Sequence, residues 1–334
     1  MKQKKSAAEP IFRLARPDEA GELVDFINDN FDWRLPLVNR KDFFTFYYRE
    51  KGLQFAVAEI DGAYAAACGY ILANEDPVPD IWASVFVARR DCTGAGLQLM
   101  AKMPELTGAD VVACNNIRGN TLNLYRFLGW TAERVSHYYR IADRTEFRLC
   151  RPSDTNRLPV HGTLTLHAVS EAEAASLPFP QSELRPRKDL HYLLRRYYHY
   201  PNQSYEVRSV CRGGVHLAYL VTRTVESGEH GEIPVLRIVD YIGDPELLPE
   251  LGAALDALLK ETGAEYADCY NVGIRPELWA EAGFRERTPE DSAVIPNYLT
   301  PPLYENTEYF YFTNKPEGFV LFKADGDQDR PNLS

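Results

Sequence analysis

Residues 107–116 read TGADVVACNN, and residues 262–271 repeat the pattern as TGAEYADCYN. Each copy lies between two amphipathic stretches, and the second stretch ends in a glycine and an aromatic residue, Gly129-Trp130 in one copy and Gly283-Phe284 in the other. A repeat of about 150 residues has the size of a whole domain. The pattern therefore predicts two tandem α+β domains, each with a twisted mixed sheet that is flanked by helices.

The repeat extends upstream of these stretches. Arg40-Lys41-Asp42 and Arg187-Lys188-Asp189 each precede a run of aromatic residues. Between the two copies, residues 148–162 contain the Pro, Ser, Asp and Gly that are typical of a linker. We therefore predict a first domain at residues 10–147, a linker at 148–162 and a second domain at 163–334.

Composition excludes several classes of protein. No stretch approaches the roughly 18 apolar residues of a membrane span, and the formal charge of −11 argues against a nucleic-acid partner held by general electrostatics. The six cysteines occur singly and without metal-ligand spacing, which predicts reduced thiols in a cytoplasmic protein. Residues 1–6 are basic but precede no apolar run, so we expect a frayed end rather than a secretory signal.

The two copies differ after their central strand. In the first, residues 81–88 run into Arg89 and Arg90, and then into a helix start that contains Gly94 and Gly96. Glycine allows a ligand close to the backbone, and the amides at a helix start attract phosphate. In the second copy, residues 244–250 read DPELLPE, which adds negative charge and removes two amides. Only the first copy is therefore expected to hold a phosphorylated cofactor.

These features resemble the GNAT (general-control-related N-acetyltransferase) superfamily. Its cofactor loop reads Arg or Gln, two residues, Gly, one residue, Gly or Ala; Gly94 and Gly96 match, whereas Asp91 stands at the leading position. The resemblance implies that an acetyl-CoA or other acyl-CoA donor binds here, without a metal. The cofactor-binding residues that it implies are Val87, Arg89, Arg90, Thr93, Gly94, Ala95, Gly96 and Asn120.

The superfamily also has a tyrosine four residues before the aromatic glycine corner. Tyr125 takes this place, and the resemblance implies that its phenol protonates the departing thiolate. A helix aromatic that packs on the sheet is the alternative interpretation. Trp279 stands at the corresponding position of the second copy and has no acidic proton to give.

A general base is harder to assign. Asp80 at the strand edge, Glu59 on a neighbouring strand and Asp240 in the second domain are the candidates, and solvated surface is the simpler expectation for the first two. Asp240 lies within an apolar strand, where a carboxylate needs a partner, and Arg237 or His216 are the candidates for that role. We therefore retain Asp240 as the catalytic candidate.

The acceptor is expected in the cleft between the halves, because pockets favour domain interfaces. Residues 195–202, RRYYHYPN, have groups that could grip a sugar or a nucleotide, and a helix with an aromatic core face is the alternative. The tail carries Asp325, Asp327 and Asp329 but lacks the turn glycine and final glutamate of a calcium loop. We expect the tail either to fold back over the cleft or to be disordered.

The second half also resembles bacterial proteins of cell-surface polysaccharide synthesis, through residues 237–243, 295–298 and the tail. That resemblance implies an amino group on a nucleotide-linked or lipid-linked sugar as the acceptor. The sequence thus favours an N-acyltransferase. A non-catalytic binding protein and an aminoacyl transferase of the cell-wall peptide-bridge type are the alternatives, and edge strands leave pairing into a homodimer open.

Overall fold

The computed structural model describes residues 9–228 and 232–331. Residues 1–6, for which the sequence predicts a frayed end, lie outside this range. The strands are β1 (Ile11–Leu14), β2 (Phe55–Ile60), β3 (Ala63–Leu72), β4 (Asp80–Ala88), β5 (Val111–Ile117), β6 (Thr131–Arg134), β7 (Ser136–Ile141), β8 (Thr165–Ala168), β9 (Glu206–Arg212), β10 (Val215–Ser227), β11 (Ile233–Ile242), β12 (Tyr266–Val272), β13 (Arg285–Arg287), β14 (Phe310–Thr313) and β15 (Leu321–Phe322). The helices are α1 (Ala20–Asn30), α2 (Pro36–Asn39), α3 (Lys41–Tyr48), α4 (Ala95–Thr107), α5 (Leu122–Phe127), α6 (Glu171–Ser176), α7 (Leu190–Tyr197), α8 (Leu248–Glu261) and α9 (Pro276–Glu281).

The strands form two mixed sheets, as the repeat predicts. The first has the order β1-β2-β3-β4-β5-β14-β6, and the second has the order β13-β7-β12-β11-β10-β9-β8, with β15 paired to β12. Each sheet contains one parallel pair, β4 with β5 and β11 with β12, among antiparallel neighbours. The two halves therefore have the same α+β architecture.

The halves exchange one strand each. β14, from the end of the chain, lies between β5 and β6 of the first sheet, and β7, from the first half, lies between β12 and β13 of the second. Only Val135 separates β6 from β7, and its amide donates to the carbonyl of Tyr309 just before β14. The predicted linker at residues 148–162 therefore does not divide the sheets, because each sheet is completed by a strand from the other half.

The central parallel pairs diverge along their length. β4 and β5 are in register only from Asp80 to Trp82, and β11 and β12 only from Leu236 to Ile238. The register of β4 against β3 shifts at residues 84–85, and that of β11 against β10 shifts at residue 239. Such bulges bend a strand and re-aim its side chains. Both halves therefore have a gap where the two central strands separate.

A shared hydrophobic core joins the halves. It combines aromatic side chains of α3, such as Tyr47, with aromatic side chains that follow α7, such as Tyr200, and the two hydroxyls are 2.8 Å apart. No helix within residues 9–228 and 232–331 is long and apolar enough to cross a membrane.

Candidate active site

The first half presents a helix start beside the gap between β4 and β5. Gly94 has φ of +90° and precedes α4, and there is open space where its side chain would be, since the nearest atom is 3.8 Å away. A left-handed φ of this kind favours glycine. Gly96 is needed for a different reason, because a Cβ there would lie 2.9 Å from the ring of Phe86 and 3.0 Å from the Cβ of Ala88. The two glycines thus shape the turn and let α4 pack closely on β4.

Several amides of this turn have no acceptor. The amide of Ala95 donates to Cys92 and that of Gln98 to Gly94, but those of Gly94, Gly96 and Leu97 meet no acceptor within the described part of the chain. Gly94 is exposed and Leu97 is half-buried. Unbonded amides at the start of a helix carry partial positive charge and favour an anion.

The arginines beside the turn are already paired. Arg89 contacts both carboxylate oxygens of Asp91, at 3.0 and 2.6 Å, and Arg90 lies 3.4 Å from Asp32. Hydrogen bonding from Arg89 lowers the pKa of the exposed Asp91 carboxyl. Asp91, the residue that departs from the superfamily loop, is therefore paired with Arg89, one of the two cations predicted to bind the cofactor.

The other predicted cofactor residues are at the same edge of the sheet. Val87 is buried near the end of β4, Thr93 and Ala95 flank Gly94, and Asn120 is exposed in the short turn after β5. The carboxyl ends of β4 and β5 face the same edge because the strands are parallel. The structure thus brings the predicted group together.

Tyr125 lies on α5 and is 7 % exposed. Its ring stacks on Phe312 of the exchanged strand β14, with centroids 4.1 Å apart, and its hydroxyl has no hydrogen-bond partner among the described residues. Burial, with a smaller effect of the Cys114 thiol on β5, raises the pKa of Tyr125 well above its usual range. The phenol is thus protonated at neutral pH.

The second half has the same elements but a closed helix start. Asp244 accepts from the amide of Glu246 at 3.0 Å, its carbonyl accepts from the amide of Leu247, and Pro245 has no amide. The place of Tyr125 is taken by Trp279, which is fully buried and donates to Asn271 at 3.2 Å. Arg275, the cation beside this helix start, is paired with Glu246 at 2.7 Å. An anion would therefore meet fewer free amides here than in the first half, and it would meet the carboxylates of Asp244 and Glu246.

Solved structures share this architecture. A conserved protein of unknown function from Enterococcus faecalis V583, described as a probable N-acyltransferase, is similar with a TM-score of 0.53 and 12% identity, over 92% of this chain and 72% of that chain. A GCN5-related N-acetyltransferase from Anabaena variabilis ATCC 29413 is similar with a TM-score of 0.50 and 14% identity, over 91% and 72% of the two chains. The fold is that of the GCN5-related N-acetyltransferases. No family model and no curated protein sequence matches this chain.

The tail fills the gap of the second GNAT half. β15 pairs with β12, and the amide of Ala324 donates to the carbonyl of Val239 at the bulge of β11. The side chain of Asn115 on β5 then donates to three tail carbonyls, those of Phe322, Lys323 and Asp325, at 3.1 to 3.3 Å. Of the two expectations for the tail, the folded one applies up to residue 331; residues 332–334 lie outside the described range.

Beyond Asn115 the tail places a carboxylate at the gap of the first half. Asp327 Oδ2 accepts from Ser84 Oγ on the bulged part of β4 at 2.5 Å. Burial, together with Asp327, raises the pKa of the Cys114 thiol on β5. Asp327 keeps 12 % of its side chain exposed and contacts Arg330 at 3.2 Å. The sequence reasoning did not select Asp327 for this position.

Asp240, the predicted catalytic candidate, is fully buried. Its carboxylate accepts from Lys188 Nζ at 2.6 Å and from the Tyr197 hydroxyl, and Lys188 also contacts Asp325 at 2.7 Å. Neither of its expected partners is bonded to it: Arg237 contacts Asp268, and His216 contacts Ser209. Asp240 thus connects α7 to the tail and is not open to an acceptor.

The other two candidate bases are also paired. Asp80 is fully buried, contrary to the surface position expected for it, and accepts from Arg185 at 3.0 Å and from the amide of Arg187 at 2.7 Å. Glu59 is paired with Arg13. Neither carboxylate lies unpaired beside the diverging strands.

Three side chains of residues 195–202 are buried, those of Arg196, Tyr197 and Tyr200, whereas His199 and Asn202 are exposed. Arg196 stacks on Tyr200 at 4.3 Å and donates to the tail carbonyls of Ala324 and Gln328. Since Arg196 is buried, this run holds the tail in place instead of gripping a ligand.

Proposed function

We propose that the chain transfers an acetyl or other short acyl group from acyl-coenzyme A to an amine, with the donor bound by the first half. The unbonded amides of Gly94, Gly96 and Leu97 are the observation that carries this proposal. They would hold the pyrophosphate, with Val87, Arg89, Arg90, Thr93, Ala95 and Asn120 around it. Leu124 and Phe127 of α5 are 50% and 79% exposed, and they would supply apolar surface for the rest of the donor.

The reaction joins the amine nitrogen to the thioester carbonyl carbon and breaks the carbon–sulfur bond. Tyr125 is proposed to give its phenolic proton to the departing thiolate, and Asp327 to accept the proton that the attacking amine loses. Ser84 holds Asp327 at the bulge of β4. Asp327 contributes to the raised pKa of the Cys114 thiol, and Cys114 contributes to the raised pKa of Tyr125. Asp327 replaces Asp240 in our assignment, because Asp240 is sealed by Lys188 and Tyr197.

The acceptor that we propose is an amino sugar, linked to a nucleotide or a lipid, and used in surface polysaccharide synthesis. The resemblance of the second half to proteins of that process supports it. A screen of amino sugar nucleotides, after mass spectrometry of the purified protein for a co-purified acyl-coenzyme A, would identify the pair of substrates. Acylation of none of these amines, with other amines accepted, would exclude the sugar.

Donor binding is tested by two glycine substitutions in the same helix. Gly94 and Gly108 both have positive φ, and neither has an atom closer than 3.8 Å where a Cβ would be, but Gly108 lies at the far end of α4. We expect Gly94→Val to weaken acetyl-coenzyme A binding roughly 10- to 100-fold, because the backbone can no longer approach the pyrophosphate. Gly108→Val should carry a similar backbone cost and leave the affinity unchanged. Calorimetric titration that shows equal affinities for both variants would remove the donor site.

A non-catalytic binding protein is the second candidate, and one observation favours it. The Arg89–Asp91 pair removes a cation from the turn that should hold the donor. If coenzyme A binds and no amine is acylated, this candidate replaces the enzyme. An aminoacyl transferase that uses tRNA would need a basic groove, which the charge of −11 disfavours.

A further inference from the structure

A polar cavity of about 540 Å³ lies between the halves, next to the tail. Asn116, at the end of β5, lines it from the first half, and β10, β11 and residues 297–300 line it from the second. A cavity of this volume is in the range of small-molecule sites, roughly 300–1,000 Å³. Nothing in the donor site uses it.

Four cations line this cavity although the chain is acidic overall. Three of them have a carboxylate partner: Arg223 contacts Asp329 at 2.8 Å, Arg237 contacts Asp268 at 3.3 Å, and Arg330 contacts Asp327 at 3.2 Å. The fourth is Lys323. Two carboxylates also line the cavity: Glu226, which is exposed, and Asp329, which is buried and paired with Arg223.

Lys323 is 8% exposed and has no carboxylate within ion-pair distance among the described residues. Its ammonium donates to Asn297 Oδ1 at 2.8 Å and lies 4.6 and 4.9 Å from the ring centroids of Tyr309 and Tyr270. Burial lowers the pKa of Lys323 to about 7, and the charge of Arg237 contributes to this decrease. Asp329 and Asp268 raise the pKa by smaller amounts. Buried charges are normally paired, whereas this ammonium has no carboxylate partner among the described residues.

The cavity adjoins the proposed base. Gln328 and Arg330, which follow Asp327 in the tail, line it, and Asn116 donates to Gln328 at 3.1 Å. A molecule whose anionic end contacts Lys323 can therefore extend past these side chains toward Asp327 and the gap between β4 and β5.

We propose that this cavity binds an anionic group of the acceptor, a phosphate or a carboxylate, with the Lys323 ammonium as its counter-ion. The proposal rests on the acyl-transfer function above and narrows its acceptor to an amine that carries negative charge at the opposite end. A sugar linked to a nucleotide diphosphate has this chemistry.

The test measures the reactivity of the Lys323 amine. The full chain, saturated with coenzyme A so that its pyrophosphate site is taken, is labelled with trace acetic anhydride at a series of pH values, and each lysine is read by mass spectrometry. We expect inorganic pyrophosphate or succinate to lower the labelling of Lys323 about fivefold near neutral pH and to move its titration upward, because an anion stabilises the ammonium. Glucose should change nothing, and labelling of the exposed Lys260 should be constant.

If only pyrophosphate protects Lys323 from labelling, the anionic group of the acceptor is assigned as a phosphate. If only succinate protects it, the group is assigned as a carboxylate. No protection by either anion would overturn the cavity proposal, while the binding of coenzyme A to the same sample would leave the donor proposal intact. Conversely, protection of Lys323 without any binding of coenzyme A would support the anion site and remove the donor site.

Substitution gives an independent readout. Lys323→Met should weaken pyrophosphate binding to the coenzyme A complex roughly 10- to 100-fold, and Lys323→Arg should retain most of it. Lys260→Met is the matched control, since Lys260 is an exposed lysine at the end of α8. Circular dichroism establishes that each variant is folded. Equal pyrophosphate affinity for Lys323→Met and the wild type would contradict the proposal.

Discussion

The two halves differ most at the start of the helix that follows the central strand. In the first half, Gly94 precedes α4, and the amides of Gly94, Gly96 and Leu97 have no acceptor among the described residues. In the second half, Asp244 accepts from the amides of Glu246 and Leu247 before α8, and Pro245 has no amide. The gap between the central strands also differs between the halves, because β15 fills the gap of the second half. The first half thus keeps an open helix start, where we propose that the donor binds, and the second half supports the tail.

The two halves also differ in the helix aromatic residue that packs on each exchanged strand. Tyr125 stacks on Phe312 of β14, and Trp279 stacks on Tyr138 of β7, so each helix aromatic packs on a strand from the other half. The packing is equivalent, but Trp279 has no hydroxyl, whereas Tyr125 has one that meets no partner in the described part of the chain. The two halves therefore share the packing of this aromatic residue, and only the first half has the hydroxyl that our proposal requires.

The largest expected effect is a difference in stability between substitutions of two lysines that occupy the same place in the two repeats. Lys188 holds the buried carboxylates of Asp240 and Asp325, whereas Lys41, at the same place in the first repeat, is exposed. Lys188→Met leaves two buried carboxylates without a cation and should lower the free energy of unfolding by about 3–5 kcal/mol. Lys41→Met should change it by less than about 0.5 kcal/mol. Urea denaturation of both variants measures the difference, and equal losses would contradict the supporting role of the second half.

The aromatic pair gives the next effect. Tyr125→Phe should lower turnover about 100-fold and leave acetyl-coenzyme A affinity unchanged, because only the proton for the thiolate is lost. Trp279→Phe should leave turnover unchanged and lower stability, since it removes the hydrogen bond to Asn271 and part of a buried ring. Steady-state kinetics with thermal denaturation separates the two, and unaltered turnover in Tyr125→Phe would remove the proton donor.

The tail predicts a pH dependence of stability. Burial, beside the carboxylate of Asp240, raises the pKa of Asp325 from 3.8 to about 6 despite Lys188. A folded-state pKa above the unfolded one gives stability that is present below about pH 4 and lost as pH rises through about 6. Relative to Asp325→Asn, the wild type should therefore lose on the order of 2 kcal/mol between these values. A difference that stays constant with pH would show that Asp325 ionises normally.

The smallest effect concerns the loop of the first half. Asp91→Gln restores the residue type found in the superfamily loop and releases Arg89, so acetyl-coenzyme A should bind about threefold more tightly at low salt, with less gain at high salt. Glu246→Gln makes the same change of charge at the closed helix start and should have no effect. A gain in both variants would mean that net charge, rather than the turn, controls the affinity.

The sequence was sufficient for the features that local pattern controls. The repeat predicted the two sheets. Gly94 and Gly96 predicted the helix start, because turn glycines and helix starts depend on neighbouring residues. The strand exchange was not predicted, since the pairing of β14 with β5 joins residues about 200 positions apart and no local preference distinguishes it from pairing within one half.

The carboxylate that we propose as the base was not predicted, for a related reason. Asp327 follows a short strand in a polar tail, where composition favours disorder as much as order, and its contact with Ser84 spans most of the chain. Asp240 was preferred because it lies in an apolar strand, but the partner it required is Lys188 on the segment before α7. The tail did contain a usable signal for an ordered segment. Aspartates occupy every second position, 325, 327 and 329, shortly after the apolar residues 319–322.

Hydrogen–deuterium exchange of the full chain with and without acetyl-coenzyme A tests the central claim most directly. We predict that the donor slows exchange of the amides at residues 93–98 and leaves those at residues 243–248 unchanged, with one donor bound per chain. Protection of residues 243–248, or a bound donor that protects neither helix start, would contradict a donor site built by the first half alone.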